Sequence, residues 1–358
     1  MILDLGDVYP VDETERQLPD AASALVLIER ELPELLPRLR RRHAEWARRF
    51  GPAGDGRVAG IEAAIALGVG RLGLRHGRFG DDFHAYHNES HALDLLLPRI
   101  DALSAHPAAA ALGHEDWLAL EVFAATHDLR QREHGHYEAP VGPNEAASIA
   151  ETFRILAVCG FNAEREPQLH LALELMIAGS TFDARPAPCE PDPEGAENSA
   201  ELASGGGALA PRLAAWLTQR DPALAARTCA RRGLHLACIA ADLDTANVGE
   251  PFGSLLRSAR ELAEEREMRA GRRLGAANSA QPCREFLLHA QTRYLAELHR
   301  FASPEGEAWL GDGKRENAAC LRGLVSELAR PGCAFQRATS GAEVLRAFEA
   351  AAGLCIGA

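Results

Sequence analysis

Apolar residues recur every three or four positions along much of this chain, and this spacing constrains its fold more than any other feature. Leu25, Ile28, Leu32 and Leu36 follow it within residues 21–50, as the buried face of an amphipathic helix requires. Only 6% of the residues are aromatic, and the positions that aromatic and β-branched residues would fill are largely Ala and Leu, which favour helix. We therefore predict an all-α protein.

The same spacing predicts helices in several further segments. The predicted helices cover residues 21–50, 59–76, 115–129, 143–161, 167–182, 228–247 and 283–301. Pro33 and Pro37 should bend or divide the first of them. Residues 115–129 are apolar almost all round, which is typical of a helix that runs through the centre of a helical protein. Residues 183–212 are instead rich in Pro, Gly, Glu and Ser, so we expect an exposed, mobile insertion there.

Charge and cysteine content narrow the class of protein. The net charge is −13 and the pI is near 5.6, which argues against a nucleic-acid surface or an anionic membrane as partner, since both require a basic face. The eight cysteines are scattered and form no CxxC pair, as expected of reduced thiols in the cytoplasm. We find neither a signal peptide nor an apolar run of membrane-spanning length, so we expect a soluble, cytoplasmic protein.

Histidines and carboxylates provide the candidate chemistry. His87 and His91 stand four positions apart, so a helix would place both imidazoles on one face. The doublet His127 and Asp128 ends the apolar segment 115–129, where an unpaired carboxylate would be costly to bury. Each feature also has a simpler explanation, since surface His pairs, capping carboxylates and hydrogen-bonded buried histidines are common. Together they favour a site for a divalent metal.

These motifs resemble a known family. Residues 86–94 read "YHNESHALD", the later doublet is "HD", and "AADLDTAN" contains a further carboxylate, Asp242, with Asp244 nearby. The combination resembles the HD-domain metal-dependent phosphohydrolases, and it is most similar to their cyclic nucleotide phosphodiesterase branch. The resemblance covers about residues 80–300. It implies a phosphodiesterase-like multi-helix bundle around a metal site.

The resemblance implies a ligand set for two divalent cations, which would be Zn, Mn, Mg or Fe. His91, His127, Asp128 and Asp242 would be the metal ligands, with Asp128 bridging the two ions. Asp242 matches the family segment better than Asp244 does. Cations held in this way would lower the pKa of a shared water and supply a hydroxide for attack on phosphorus.

The resemblance also implies roles for other residues. His87 would be the general acid that protonates the departing oxygen, and Glu145 would orient water or that histidine. Gln291 and Tyr294, in a segment similar to the family's "GQxGF", would bind and stack on a nucleotide base. Gln291 and Tyr294 are one helical turn apart, although such a pair on an amphipathic helix is more often plain surface and core.

Three departures from the family pattern leave alternatives open: the segment between the HD doublet and Glu145 is shorter than in the phosphodiesterase branch, and two positions are changed. Position 131 is Gln where the family usually has His, with His134 or His136 as substitutes if the loop turns back, and position 290 is Ala instead of Gly. The leading hypothesis is hydrolysis of a 3′,5′-cyclic nucleotide to its monophosphate. The alternatives are an HD-type nucleotidase or other phosphomonoesterase, and a catalytically inactive nucleotide- or metal-binding sensor.

The motifs suggest four parts of the chain. Residues 1–20 should be a loose N-terminal arm, and residues 21–79 an N-terminal helical segment. Residues 80–301 should form an HD-type catalytic domain that contains the insertion. Residues 302–358 should be a C-terminal helical extension.

Overall fold

The computed structural model describes residues 9–54, 56–133, 141–183 and 207–356. These residues are almost entirely helical, which confirms the predicted all-α class. The strands are β1, Phe182–Asp183, and β2, Gly207–Ala208, and they pair in a small sheet. None of the described helices combines the length and the apolar composition needed to span a bilayer.

The chain folds into two compact units. The first comprises Met1–Thr181 and Ala208–Asp244, and the second comprises Phe182–Gly207 and Thr245–Ala358. The predicted domain borders at 79/80 and 301/302 do not coincide with these unit boundaries. Most of the predicted insertion 183–212 lies outside the described residues, and its last residues form β2 and begin a helix.

The first unit holds the candidate metal ligands. Its α-helices are α1 Glu13–Gln17, α2 Ala21–Glu31, α3 Leu35–Phe50, α4 Arg57–Arg75, α5 Glu89–Asp94, α6 Ile100–Ala105, α7 His114–Thr126, α8 Pro143–Val158, α9 Pro167–Ser180, α10 Ala210–Arg220, α11 Pro222–Ala225 and α12 Thr228–Asp244. A π-helical turn, Leu95–Arg99, joins α5 to α6, and a 3₁₀ turn, Pro107–Ala109, follows α6. The predicted helix 21–50 is divided around Pro33, as expected.

The second unit is also helical. Its α-helices are α13 Phe252–Arg269, α14 Ala280–Glu285, α15 Gln291–Arg293, α16 Pro304–Leu328, α17 Ala334–Arg337 and α18 Gly341–Ile356. π-helical turns, Phe286–Ala290 and Tyr294–Leu298, flank α15, and 3₁₀ turns span Ala246–Val248 and Ala277–Ser279. A core of Leu256, Phe286, Phe335 and Phe348 joins α13 to the helices that follow.

Helix α7 runs through the core of the first unit. Every residue from Trp117 to Thr126 is buried, which confirms the prediction of a central helix for this apolar segment. α4 passes close to the end of α7, because Gly68 has no side chain: a Cβ there would lie 2.6 Å from the Ala125 carbonyl oxygen. This close approach positions the chain immediately before the His-Asp doublet.

Residues 9–20, expected to belong to a loose arm, are packed. Asp12 caps α1 by accepting a hydrogen bond from the Glu15 backbone N–H. The Glu15 side chain is buried between two cations, at 3.2 Å from the Arg71 guanidinium and 2.6 Å from that of Arg154. Leu18 is also buried. Partners from α4 and α8 therefore order a segment whose own composition carries no helical pattern.

Candidate metal centre

The loop before α5 orders the first pair of histidines. Asn88 caps α5, and its side-chain oxygen accepts hydrogen bonds from the backbone N–H groups of Ser90 and His91. The helix therefore begins at Glu89, and the prediction that His87 and His91 share one helix face is wrong. The two rings are nevertheless close, with centroids 6.2 Å apart, and the Tyr86 ring lies within 5 Å of both.

His127 follows the last residue of α7 and has a defined orientation. Its Nδ1 lies 3.3 Å from the Phe123 carbonyl oxygen, and its ring stacks on the Phe123 ring at 4.8 Å. A proton on Nδ1 that is donated to this carbonyl leaves Nε2 with a free lone pair. Histidines that bind metals through Nε2 characteristically have such a backbone partner.

Helix α12 contributes the carboxylate of Asp244, its last residue. Asp244 Oδ1 lies 3.0 Å from His91 Nε2 and 3.5 Å from His127 Nε2. Arg99 donates hydrogen bonds to the carbonyl oxygens of Leu243 and Asp244, which holds this end of α12. Asp242, the residue that the family resemblance favours, is buried two positions earlier. Two positions correspond to about 200° of helical rotation, so both side chains cannot point the same way.

Asp128 completes the arrangement. Its Oδ2 lies 3.1 Å from His127 Nε2 and 3.6 Å from His91 Nε2. Ligand atoms around a four-coordinate Zn²⁺ with bonds of about 2.0–2.1 Å lie about 3.3 Å from one another. The four distances between these imidazole nitrogens and carboxylate oxygens, from 3.0 to 3.6 Å, bracket that value. We call His91, His127, Asp128 and Asp244 the metal centre, because a cluster of this kind could hold a metal ion.

The histidines and carboxylates of the metal centre shift one another's pKa values. Burial raises the pKa values of both carboxyls, but the neighbouring histidines outweigh it, lowering the pKa of Asp128 to about 2 and holding that of Asp244 well below its usual range. Burial lowers the pKa of His127, but the two carboxylates outweigh it and raise the pKa well above the usual value. The pKa of His91 is lowered, because burial outweighs the carboxylates there. Two partly buried negative charges thus favour a positive charge between them.

The donors fit a divalent cation. The His127 Nε2 atom is fully buried and, among the described residues, has no hydrogen bond of acceptable geometry in spite of the two nearby carboxylates. His91, His127 and Asp244 each present one ligand atom, and these three atoms lie within 4.8 Å of one another. Imidazoles and carboxylates together suit Zn, Mn or Fe, and carboxylates suit Mg.

Gln131 contacts the metal centre at the position where the family usually has His. Its side-chain amide donates a hydrogen bond of 2.8 Å to Asp128 Oδ1, leaving Oδ2 towards the histidines. In the sequence, Gln131 stands out only as a departure from the family pattern, although an amide is a suitable donor to a ligating carboxylate. The candidate substitutes, His134 and His136, lie outside the described residues.

The side chains predicted to act in catalysis or to bind a nucleotide base lie in both units of the chain. His87 is close enough for its charge to contribute to the lowered pKa of Asp128. Glu145 is half-buried in the first turn of α8, with its carboxylate against Gly142. Gln291 is buried and Tyr294 contacts the Phe182 and His299 rings, all within the second unit. The functional roles of these side chains stay predictions.

No family model matches this chain, and no curated protein matches it. The resemblance to the HD-domain phosphohydrolases therefore depends on the motif residues alone.

Proposed function

We propose that the protein is a metal-dependent phosphohydrolase that cleaves a nucleotide phosphodiester, with a 3′,5′-cyclic nucleotide as the best candidate substrate. One observation carries the proposal. The Nε2 atoms of two buried histidines converge on the carboxylates of Asp128 and Asp244, although the four residues come from three separate segments of the chain.

His91, His127, Asp128 and Asp244 would hold the cation. A divalent cation there would supply Lewis acidity, activate water near neutral pH and offset the negative charge that develops on phosphorus. The protein's own contribution is orientation. The Phe123 carbonyl selects the His127 tautomer, and Gln131 restrains Asp128.

His87 is the candidate proton donor. It precedes α5, its ring packs edge-on against Tyr86 at 4.9 Å, and it is partly exposed. A partly exposed histidine near the metal centre can exchange protons with solvent and deliver one to the departing ribose oxygen. Tyr86 is then a positioning residue, because its ring lies against both His87 and His91.

The test is product analysis by liquid chromatography. The purified chain would be incubated with Mn²⁺ and a panel of cyclic nucleotides, nucleoside monophosphates and dinucleotides, alongside Asp128→Ala and the exposed control Asp312→Asn. We expect a cyclic nucleotide to be converted to its monophosphate by the wild type and by the control, but not by Asp128→Ala. Phosphate release from monophosphates alone would indicate a nucleotidase instead. No turnover across the panel would favour a sensor.

Two histidine variants separate the ligand from the acid. We expect His91→Ala to lose both bound metal and activity, because it removes a ligand. We expect His87→Ala to keep the metal and lose turnover, because it removes only the proton donor. Equal metal loss in both variants, measured by elemental analysis, would contradict this division.

A further inference from the structure

A second group of histidines lies in the loop between α4 and α5. His76 follows the last residue of α4, and His84 lies eight residues later, with the Asp82 carboxylate between them in the sequence. Both histidines are buried, whereas the Asp82 side chain is 48% exposed. We propose that His76, Asp82 and His84 form a second divalent-cation site, of the kind that binds Zn²⁺. This loop site shares no residue with the metal centre, and the proposal does not depend on the proposed function.

The geometry of the loop site is that of a three-ligand cluster. Asp82 Oδ2 lies 3.9 Å from His76 Nδ1 and 3.5 Å from His84 Nε2, and one ligand atom from each residue lies within 4.8 Å of the other two. These separations are slightly wider than the distance of about 3.3 Å between neighbouring ligand atoms around tetrahedral zinc. A small rotation of the exposed Asp82 side chain would close the difference.

The backbone holds the two imidazoles together before any ion binds. The His84 N–H donates a hydrogen bond of 2.8 Å to the His76 carbonyl oxygen, which brings the ring centroids to 4.1 Å. The Asn88 side-chain amide donates to the His84 carbonyl oxygen at 2.6 Å. The site is thus largely preorganised, which lowers the entropic cost of binding.

The donor set suits a borderline cation. Two neutral imidazoles and one carboxylate are a typical ligand set for zinc, and three protein ligands leave a further position for water. Asp82 presents Oδ2 to the histidines, while Oδ1 pairs with the Arg132 guanidinium at 2.9 Å. The two closely packed imidazoles and the Asp82 carboxylate can therefore supply three ligand atoms to one cation.

Zinc titration of the full-length chain, free of tags and stripped with a chelator, tests the proposal. Competition with a chromophoric chelator would give the number of tightly bound zinc ions per chain, here called equivalents. It would be measured for the wild type, Asp82→Asn, His84→Gln and Asp244→Asn. The matched control is Asp81→Asn, which alters the neighbouring exposed carboxylate. We expect Asp82→Asn and His84→Gln to weaken one equivalent by at least about 10-fold and the control to leave it unchanged. Asp244→Asn should retain that equivalent and weaken a different one.

Zinc binding by Asp82→Asn and His84→Gln identical to that of the wild type would overturn the proposal. If His84→Gln fails to fold, Asp82→Asn decides, because its side chain is half exposed and its replacement leaves the core intact. Co²⁺ provides a second readout, since the visible spectrum of Co²⁺ bound at this site should disappear in Asp82→Asn. Retention of the full wild-type spectrum in that variant would equally refute the site.

Discussion

Replacement of His43 should remove a pH-dependent part of the stability of the first unit. His43 Nε2 lies 2.7 Å from a Glu121 oxygen, and its Nδ1 lies 3.1 Å from a Glu62 oxygen. Burial lowers the pKa of His43, but these two carboxylates outweigh it and raise the pKa from 6.5 to about 9. Arg42 also pairs with Glu121, so a proton on His43 balances the second buried carboxylate.

The size of this contribution to stability follows from the shift of the His43 pKa. Moving a pKa from 6.5 to about 9 corresponds to about 3 kcal/mol of folding free energy at about 1.36 kcal/mol per pKa unit. The folded pKa is raised, so the folded protein binds more protons than the unfolded chain between these two values. The contribution is therefore fully present below pH 6.5 and is lost as the pH rises towards 9.

Denaturant unfolding of the wild type and His43→Gln between about pH 6 and pH 9 would measure this. Tryptophan fluorescence is a suitable probe, because the Trp46 ring lies 5.8 Å from the His43 ring. We expect the stability difference between the two proteins to shrink by about 3 kcal/mol across this range. His289→Gln, at an exposed position, should show no such change. A difference that stays constant with pH would refute the argument.

Three further predictions concern the metal centre and its supports. Asp244→Asn should weaken metal binding by more than about 10-fold, because the Asp244 carboxylate lies against both His91 and His127. Asp242→Asn should weaken it less. Isothermal titration with Mn²⁺ that ranks the two variants the other way would restore the ligand favoured by the resemblance. Gln131→Ala should weaken metal binding by about 10- to 100-fold through loss of the hydrogen bond to Asp128, and unchanged affinity would show that Gln131 does not restrain the ligand. Gly68→Ala should destabilise the protein by about 1–3 kcal/mol, because its Cβ would meet the Ala125 carbonyl oxygen. The control Gly323→Ala has open space around its Cβ and should stabilise α16 by about 0.5–1 kcal/mol. Denaturation curves that coincide for the two variants would contradict this prediction.

The helices could be predicted from local sequence, because their apolar spacing is a local property. The division of residues 21–50 near Pro33 and the burial of α7 followed directly from residue type. The prediction that one helix carries both His87 and His91 was wrong for a local reason as well. Asn88 has the residue type of a helix cap, and this signal should have outweighed the four-residue spacing of His87 and His91.

Long-range partners explain the remaining differences. Glu15 is ordered by Arg71 and Arg154, which lie far along the chain, so the composition of residues 1–20 could not reveal the packing. The sequence could not show that the Asp244 carboxylate lies against His91 and His127. That contact depends on the rotation of α12, which tertiary packing sets.

The order of the ligands along the chain has a consequence for biosynthesis. His91 and Asp244 are 153 residues apart, so a growing polypeptide cannot assemble the metal centre until α12 has left the ribosome. The large loops that must close first make this a late event in folding. Cation uptake by the metal centre would therefore mark a completed first unit, and it would pull that unit towards its native form only once synthesis has passed residue 244.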